Sequence, residues 1–306
     1  MKDVLGLPCG ISLFERGWLS SNNILFVDDD RTVLVDTGYH SHSVQTVSLV
    51  EGSLNGRALD MVINTHLHSD HCGGNAALQA RYPKVQTYIP PGQADLVTDW
   101  DPWALMYTPT GQHCPKFKFD STLKPGSLIL LGGRGWEVHA APGHDPCAVI
   151  FFEPTDQILI SADALWEDGF GVVFPELEAV AAFSDVGVTL DLIKKLKPKI
   201  VIPGHGSAFF YDKSVLERAN SRLRAFTENP TRHARHAAKV LLKFKLLEVQ
   251  RQPLQDFIQW TLGTPFFHAI NKRYYKVPLE SLIVELCKEL VTAGVAGLDK
   301  GELINR

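Results

Sequence analysis

Residues 65–74 have the sequence Thr65-His66-Leu67-His68-Ser69-Asp70-His71-Cys72-Gly73-Gly74 and directly follow an apolar run, Leu59–Asn64. Six consecutive residues of this loop carry three imidazoles and one carboxylate. His66 and His68, two residues apart, point the same way from an extended turn. Asp70 and His71 point to a neighbouring position as the chain bends towards the glycines. Because Zn²⁺ accepts imidazole nitrogens and carboxylate oxygens as ligands, the stretch predicts a metal site in a loop after a strand.

Three more ligand-type side chains follow later apolar runs. They are His144 in Pro142-Gly143-His144-Asp145, Asp163 in Ser161-Ala162-Asp163-Ala164 and His205 in Pro203-Gly204-His205-Gly206. Each alone is an ordinary turn residue, but all share one context, a strand followed by a ligand beside glycine or alanine. Small neighbours let the backbone crowd around a metal centre. We therefore expect these residues to join the first loop.

Strands mixed with helices over the first two thirds of the chain predict a layered α/β domain, with functional loops after the strand ends. A helix is predicted for Glu178–Leu196. The predicted strands are Ile24–Val27, Thr32–Val35, Val85–Ile89, Leu128–Leu131, Trp136–Ala140, Ala148–Phe152, Ile158–Ser161 and Ile200–Ile202.

From about Tyr211 the pattern becomes helical, and Ala293–Ile304, with three glycines, favours a small hairpin or wing. The predicted helices are Ser214–Thr227, Arg232–Val249, Gln252–Leu262 and Leu279–Thr292. Residues 213–306 carry a formal charge of +7 and residues 1–212 a charge of −11, within a total of −4. The change of texture and charge predicts a catalytic domain over 1–212 and a helical domain over 213–306.

Composition places the chain among ordinary globular proteins. Of its 306 residues, 45% are hydrophobic and 21% charged, which excludes a disordered chain, a fibrous repeat and a disulfide scaffold. The five scattered cysteines lack any C-x-x-C pair, which favours reduced thiols. The first ten residues lack the apolar core of a signal peptide, and no apolar run approaches the roughly 20 residues of a membrane span. We expect a cytoplasmic protein without a membrane partner.

The order of these ligand motifs resembles that of the metallo-β-lactamase superfamily, over roughly residues 10–210. The resemblance implies a four-layered αββα sandwich with a metal site at one edge, followed here by a smaller, mostly helical domain. It implies two zinc ions per chain, with iron or manganese as alternatives. In this arrangement His66, His68 and His144 hold the first metal, Asp70, His71 and His205 hold the second, Asp163 bridges them, and Asp36 orients a ligand.

Two departures from the motifs of known branches narrow the choice of branch within the superfamily. A bridging carboxylate at 163 resembles glyoxalase II, lactonases and nucleases rather than true β-lactamases. Against glyoxalase II, its usual His-Thr-x-Gly-His is here His144-Asp145-Pro146-Cys147-Ala148. The last third resembles the winged-helix extension of lactamase-like endoribonucleases.

The favoured hypothesis is a dizinc hydrolase acting on a small thioester or lactone. A metal-bridging hydroxide would attack the carbonyl while Asp70 and Asp163 hold and orient it. Trp103 and Tyr107, in the long segment Asp95–Phe119, and Trp166 are candidate pocket residues. Val240, Leu241 and Phe244 are expected in a core or interface.

Two alternatives remain open. The first is an endoribonuclease-like phosphodiesterase whose basic last third binds RNA. The same basic residues would also suit a phosphorylated carrier such as a coenzyme A thioester, or a surface that docks onto the acidic domain. Those residues include Arg218, Arg222, Arg224, Arg232, Arg235, Lys239, Lys243 and Lys245. The second alternative is a binding or regulatory protein that keeps the metal site.

Overall fold

Two six-stranded sheets form the centre of the protein. The computed structural model describes residues 6–178 and 180–306. Residues 1–5, on which the expectation about a signal peptide partly rests, lie outside the described residues. The first sheet has its strands in chain order: β1 (Ile11–Phe14), β2 (Asn23–Val27), β3 (Thr32–Val35), β4 (Met61–Ile63), β5 (Gln86–Ile89) and β6 (Ser121–Thr122). Strands β1 to β3 are antiparallel, and β3 to β6 are parallel.

The second sheet is also built in chain order. Its strands are β7 (Leu128–Leu131), β8 (Arg134–Ala140), β9 (Val149–Glu153), β10 (Ile158–Ala162), β11 (Ile200–Pro203) and β12 (Phe209–Phe210). Strands β10 and β11 are parallel, and the other neighbours are antiparallel. The predicted strands match these elements closely.

Apolar side chains on both faces of the strands explain the layering. Ile24 and Phe26 of β2 pack in the core between the sheets with Phe151 of β9. Leu25, the residue between them, points to the opposite face and packs under the helices. Alternate residues of a strand face opposite sides, so a strand that is apolar throughout needs cover on both faces.

Helices cover the outer face of each sheet. The helices of the first half are α1 (Ser43–Leu54), α2 (Ser69–Cys72), α3 (Asn75–Arg81) and α4 (Ala94–Asp99). Of these, α1 and α3 pack on the first sheet. After the short α5 (Phe174–Leu177), helices α6 (Phe183–Leu196) and α7 (Lys213–Glu228) pack on the second. The predicted αββα sandwich is confirmed.

The predicted helix Glu178–Leu196 starts too early. The chain first forms α5 and begins α6 only at Phe183. The carboxylate of Glu176 accepts hydrogen bonds from the backbone N–H groups of Ala182 (2.5 Å) and Phe183 (2.7 Å). This side chain therefore satisfies the free amides at the start of α6, as a capping residue does.

The last third has its own core. Its elements are α8 (Pro230–Val249), β13 (Arg251–Pro253), α9 (Leu254–Leu262), α10 (Pro265–Ile270), a π-helical turn (Asn271–Tyr275), α11 (Leu279–Thr292), β14 (Ala296–Asp299) and β15 (Glu302–Asn305). The three strands pair in the order β13-β15-β14, and β14 with β15 forms the predicted wing. Val172 and Leu177 pack into this same core, which fixes α8 beside the loops after β10.

Helix α7 follows the predicted domain boundary at 212 but packs with the first two thirds of the chain. Its buried residues Val215, Leu216 and Ala219 belong to the layer formed with α6 over the second sheet, whereas the first residue after α7 that packs into the core of the last third is Ala234. The boundary itself stays a prediction.

No described helix combines the length and the apolar character needed to cross a bilayer.

Candidate metal centre

The carboxyl ends of five strands bring the predicted residues to one edge of the sandwich. Strand β3 is parallel to β4, β10 is parallel to β11, and β8 runs in the same direction as β10 because both are antiparallel to β9. The residues that follow these strands are Asp36 after β3, His66 after β4, His144 after β8, Asp163 after β10 and His205 after β11.

The first cluster consists of His66, His68 and His144, each offering a nitrogen within 4.8 Å of the others. Nδ1 of His68 lies 2.7 Å from Nε2 of His144. Nε2 of His66 is buried and has no hydrogen-bond partner among the described residues. Buried polar atoms are normally paired, so converging imidazole nitrogens without an acceptor between them fit a cation.

The second cluster consists of Asp70, His71 and His205. Nε2 of His205 lies 3.1 Å from Oδ2 of Asp70. Asp163 stands between the two clusters, with Oδ1 3.4 Å from Nε2 of His71 and Oδ2 3.4 Å from Nε2 of His144. One carboxylate thus faces both groups, which suits the bridging role implied for it.

Hydrogen bonds behind the ligands fix which nitrogen faces the centre. Nδ1 of His71 donates to Oδ2 of Asp36 at 2.7 Å, and Asp36 also accepts from the backbone N–H (2.9 Å) and hydroxyl (2.8 Å) of Thr65. Nδ1 of His144 donates to the carbonyl of Val172 at 2.5 Å. Because Nδ1 carries the proton, Nε2 of each ring is free to bind a metal. The carbonyl of Val172 thus orients His144, whose motif departs from that of glyoxalase II.

Two glycines are required by the closeness of these groups. A Cβ on Gly204 would lie 2.1 Å from Oδ1 of Asp163, and one on Gly171 would lie 2.5 Å from Nδ1 of His144. Neither contact is compatible with the observed positions, so glycine allows the backbone to approach the ligands.

Burial and mutual charge set the protonation of the ligands. Burial lowers the pKa of His66 well below its ordinary value and that of His68 to about 3. Burial raises the pKa of Asp163, but the positive charges of His205 and His71 outweigh it and bring the pKa well below the usual range. Burial lowers the pKa of His71, and the carboxylates of Asp36 and Asp163 reverse this to a value well above normal. His66 and His68 are therefore neutral, and the carboxylates of Asp36 and Asp163 that favour a proton on His71 equally favour a divalent cation in its place.

A cavity of about 400 Å³ opens above these residues. Tyr107 and Trp166, two of the candidate pocket residues, line it. The hydroxyl of Tyr107 donates to the carbonyl of Leu67 at 2.8 Å, and Nε1 of Trp166 donates to Oδ1 of Asp163 at 3.3 Å. Trp103 lies elsewhere: it is 58% exposed and lines a separate, smaller cleft. The prediction that Trp103 faces the metal cavity is wrong, because its part of the loop turns towards α10.

Several cavity residues were not identified from the sequence. Trp18 stacks on His205, with ring centroids 5.5 Å apart and an angle of 8° between planes, and no motif marks it. Val240, Leu241 and Phe244 of α8 line the opposite wall, although Leu241 is also part of the helical core. The amphipathic pattern of α8 shows an apolar face, and only the fold shows that this face borders the metal cavity.

The predicted basic surface is largely engaged within the protein. Arg235 pairs with Glu285 and Glu289, and Lys239 with Glu289 at 3.0 Å. Arg218 forms an ion pair with Asp168 (3.1 Å) and Lys245 with Glu248 (2.7 Å). Lys243 donates hydrogen bonds to the carbonyls of Val295 and Arg306. Arg222, Arg224 and Arg232 have no carboxylate partner among the described residues. RNA binding by these eight residues stays a prediction, and the surface of unpaired positive charge is smaller than the sequence alone indicates.

Comparison with known proteins agrees with this geometry. The sequence profile of the Metallo-beta-lactamase superfamily matches residues 16–205. The chain is 29% identical over 151 residues to the hydroxyacylglutathione hydrolase of Stenotrophomonas maltophilia, covering 49% of this chain and 48% of that protein. It is 26% identical over 147 residues to the anaerobic nitric oxide reductase flavorubredoxin of Vibrio vulnificus, covering 47% of this chain and 27% of that protein. The chain therefore spans between about a quarter and a half of these curated relatives.

Solved structures share the fold. A metallo-beta-lactamase family protein from Thermus thermophilus superposes with a TM-score of 0.56 at 17% identity, covering 98% of this chain and all of the other. A second protein, crystallised in a di-iron-bound form, gives a TM-score of 0.52 at 25% identity over 68% of this chain and 96% of its own. The first likeness extends the shared fold through the helical last third.

Proposed function

Because the chain belongs to the Metallo-beta-lactamase superfamily, we propose that it is a metal-dependent hydrolase acting on a small ester-like substrate, a thioester or a lactone. The observation that carries the proposal is the position of Asp163, one carboxylate that faces two clusters of histidine and aspartate side chains on the floor of a cavity. A cavity of about 400 Å³ suits a small molecule.

The donor set fits a pair of divalent metal ions. It contains five imidazoles and two carboxylates, with no thiolate, and this suits zinc, iron or manganese. We favour two zinc ions, and a relative that crystallised in a di-iron-bound form makes iron the main alternative. Two divalent ions supply a hydroxide nucleophile near neutral pH, because they lower the pKa of a bound water to about 7.

The residues of this chain orient the reactants. Asp163 and Asp70 are ionised acceptors, each close to Nε2 of His205, and either carboxylate would accept the one hydrogen bond that a metal-bound hydroxide can donate and so orient it. The apolar wall of Val240 and Phe244 excludes water from the opposite side of the cavity. The ester-like carbonyl would thus lie between the ligand floor and α8.

A thioester is the first substrate class to test. The curated relative at 29% identity is named a hydroxyacylglutathione hydrolase, and hydroxyacylglutathiones are thioesters. The similarity covers about half of each chain, so it supports a thioester as the bond that is cleaved and leaves open which thiol carries the acyl group.

The test is a hydrolase panel on protein of measured metal content. Wild type should hydrolyse a thioester or a lactone, and His68→Ala or Asp163→Ala should abolish turnover without changing the circular dichroism spectrum. The matched control is His139→Ala, at a half-buried histidine of β8 that contacts Glu137 away from the cavity, and it should keep full activity. Turnover retained by either ligand variant would contradict the proposal. Failure of the whole panel with fully metallated wild type would favour the binding or regulatory alternative.

A further inference from the structure

A second cavity of about 370 Å³ lies between α7 and α8, beside the metal cavity. We call it the α7–α8 cleft. Its charged and polar lining consists of Ser221, Arg222, Arg232, Arg235, His236 and Lys239. The hydrolysis proposed above does not use this cleft, and no acidic residue is among the described side chains that line it.

The charges of the cleft are only partly balanced. Arg235 and Lys239 are paired with glutamates of α11. Nη1 of Arg222 donates to the carbonyl of Phe170 at 3.1 Å, which supplies no negative charge. Arg232 is exposed, and no described carboxylate forms an ion pair with it. Two guanidinium groups therefore stand in one cleft without a counter-ion from the described residues.

The two guanidinium groups also repel each other. The pKa of Arg222 is lowered first by burial, and the positive charge of Arg232 lowers it further. Asp168 opposes this effect, but its carboxylate is already paired with Arg218 at 3.1 Å. A bound anion would relieve this repulsion, and the planar fork of a guanidinium matches phosphate oxygens in pairs.

The cleft borders the metal cavity and shares two side chains with it. Arg222 and His236 line both spaces. Burial lowers the pKa of His236 to about 4, with a further contribution from Arg222, so the imidazole between the two spaces is neutral at pH 7. An extended ligand that passes Arg222 and His236 would place a reacting bond above the metal ligands and an anionic group in the cleft.

We propose that the α7–α8 cleft binds a phosphate group of a phosphorylated thiol carrier, so that the substrate is an acyl thioester of the coenzyme A class. The inference rests on the proposed function for the reaction and on the cleft alone for the binding. In the reaction, water adds its oxygen to the acyl carbon, the carbon–sulfur bond breaks, and the products are a carboxylic acid and the free thiol of the carrier. The phosphate stays on the leaving group and is not transferred.

A small carrier fits better than a nucleic acid strand. A strand needs a track of free cations that follows its backbone. Here Arg218 and Lys245 are ion-paired, Lys243 is bound to carbonyls and Arg224 lies outside the cleft, so only Arg222 and Arg232 of the eight residues bring unpaired charge together in one place. A cluster of this size suits one or two phosphate groups.

Binding of adenosine 3′,5′-bisphosphate, measured by calorimetry on metal-loaded protein at low salt, tests the cleft directly. Arg232→Ala should weaken binding about tenfold, as expected for the loss of a charge-assisted hydrogen bond. The matched control is Arg224→Ala, an exposed arginine of α7 that lines neither cavity and should leave the affinity unchanged. Equal affinity of Arg232→Ala and wild type would overturn the proposal, and so would equal losses in both variants.

Further arms separate this inference from the proposed function. His68→Ala should bind the bisphosphate like wild type, because the cleft is distinct from the metal ligands; lost binding would place the anion on the metals and overturn the proposal. If thioesters are hydrolysed, Arg232→Ala should raise KM about tenfold for an acyl coenzyme A and leave KM unchanged for the same acyl group on phosphate-free N-acetylcysteamine. Equal changes for both would refute the cleft while sustaining the hydrolase. A single-stranded RNA that binds more tightly than the bisphosphate, with the same dependence on Arg232, would replace the carrier by RNA.

Discussion

Asp36→Asn separates the orientation of a ligand from the stability of the fold. Asp36 accepts three hydrogen bonds, from the N–H and hydroxyl of Thr65 and from Nδ1 of His71. In the asparagine variant one oxygen can still accept from the N–H of Thr65. The new NH₂ group then faces His71 and requires an unprotonated Nδ1, which moves the ring proton to Nε2. That is the nitrogen that faces Asp163 and the proposed metal.

The expected loss of metal affinity follows from this change of tautomer. Replacing the partner that orients a metal ligand costs roughly ten- to a hundredfold in affinity. Asp36→Ala should in addition lower the free energy of unfolding of the metal-free protein by roughly 3 to 6 kcal/mol, because it leaves three buried donors unpaired at about 1 to 2 kcal/mol each. The asparagine variant keeps the size of the side chain and should lose much less stability.

Zinc affinity is measured by competition with a chromophoric chelator, and stability by urea unfolding of the metal-free protein. Asp60→Asn is the matched control, since Asp60 accepts the same pair of bonds from the N–H (2.8 Å) and hydroxyl (3.1 Å) of Thr32 at the opposite end of β3. That variant should keep its zinc affinity. An Asp36→Asn protein that binds both zinc ions within twofold of wild type would refute the reasoning.

Three further predictions concern packing, pH and metal removal. Gly171→Ala should weaken zinc binding by about tenfold or more, because its Cβ displaces the ring of His144, whereas Gly135→Ala, with open space around the new methyl, should not. Burial lowers the pKa of His233, which accepts a hydrogen bond from the N–H of Val173, to about 3. Below about pH 6.5 the unfolded chain takes up a proton at this imidazole and the folded chain does not. The free energy of unfolding should therefore decrease as the pH falls from about 6.5 towards about 3, by at most about 1.4 kcal/mol per pH unit. Urea unfolding of metal-free wild type and His233→Gln at about pH 5 and about pH 7 checks this, and parallel curves would contradict it. A chelator should lower Tm reversibly, since zinc at a hundred times its Kd stabilises the folded state by about 2.7 kcal/mol; an unchanged Tm would argue against a site that joins both sheets.

The clustering of the candidate ligands could be predicted because it depends on local sequence. His66 and Asp163 each follow an apolar run that forms a strand with a fixed alternation of faces. Parallel strands bring such residues to one edge, so the family order of motifs and the observed edge agree. Small residues such as Gly204 beside the ligands were a second local signal.

The cavity walls could not be predicted, because they depend on contacts between distant segments. Trp103 and Trp18 are both aromatic residues beside loops, and only the course of the chain places Trp18 against His205 and Trp103 in another cleft. In α8, a phenylalanine at position 244 suits a core as well as a cavity wall, so the residue type does not tell the two apart. The pairing of Arg235 with α11 likewise depends on a tertiary contact between helices about 50 residues apart in sequence.

The stacking of Trp18 on His205 gives the protein an intrinsic fluorescent signal. Trp18 and Trp166 are two of the six tryptophans, and their rings lie edge to face with centroids 5.3 Å apart. One contacts His205 and the other donates to Asp163, so the arrival of a metal ion alters the surroundings of both indoles. The emission spectrum of the unlabelled protein should therefore follow metal loading in real time, before any substrate has been identified.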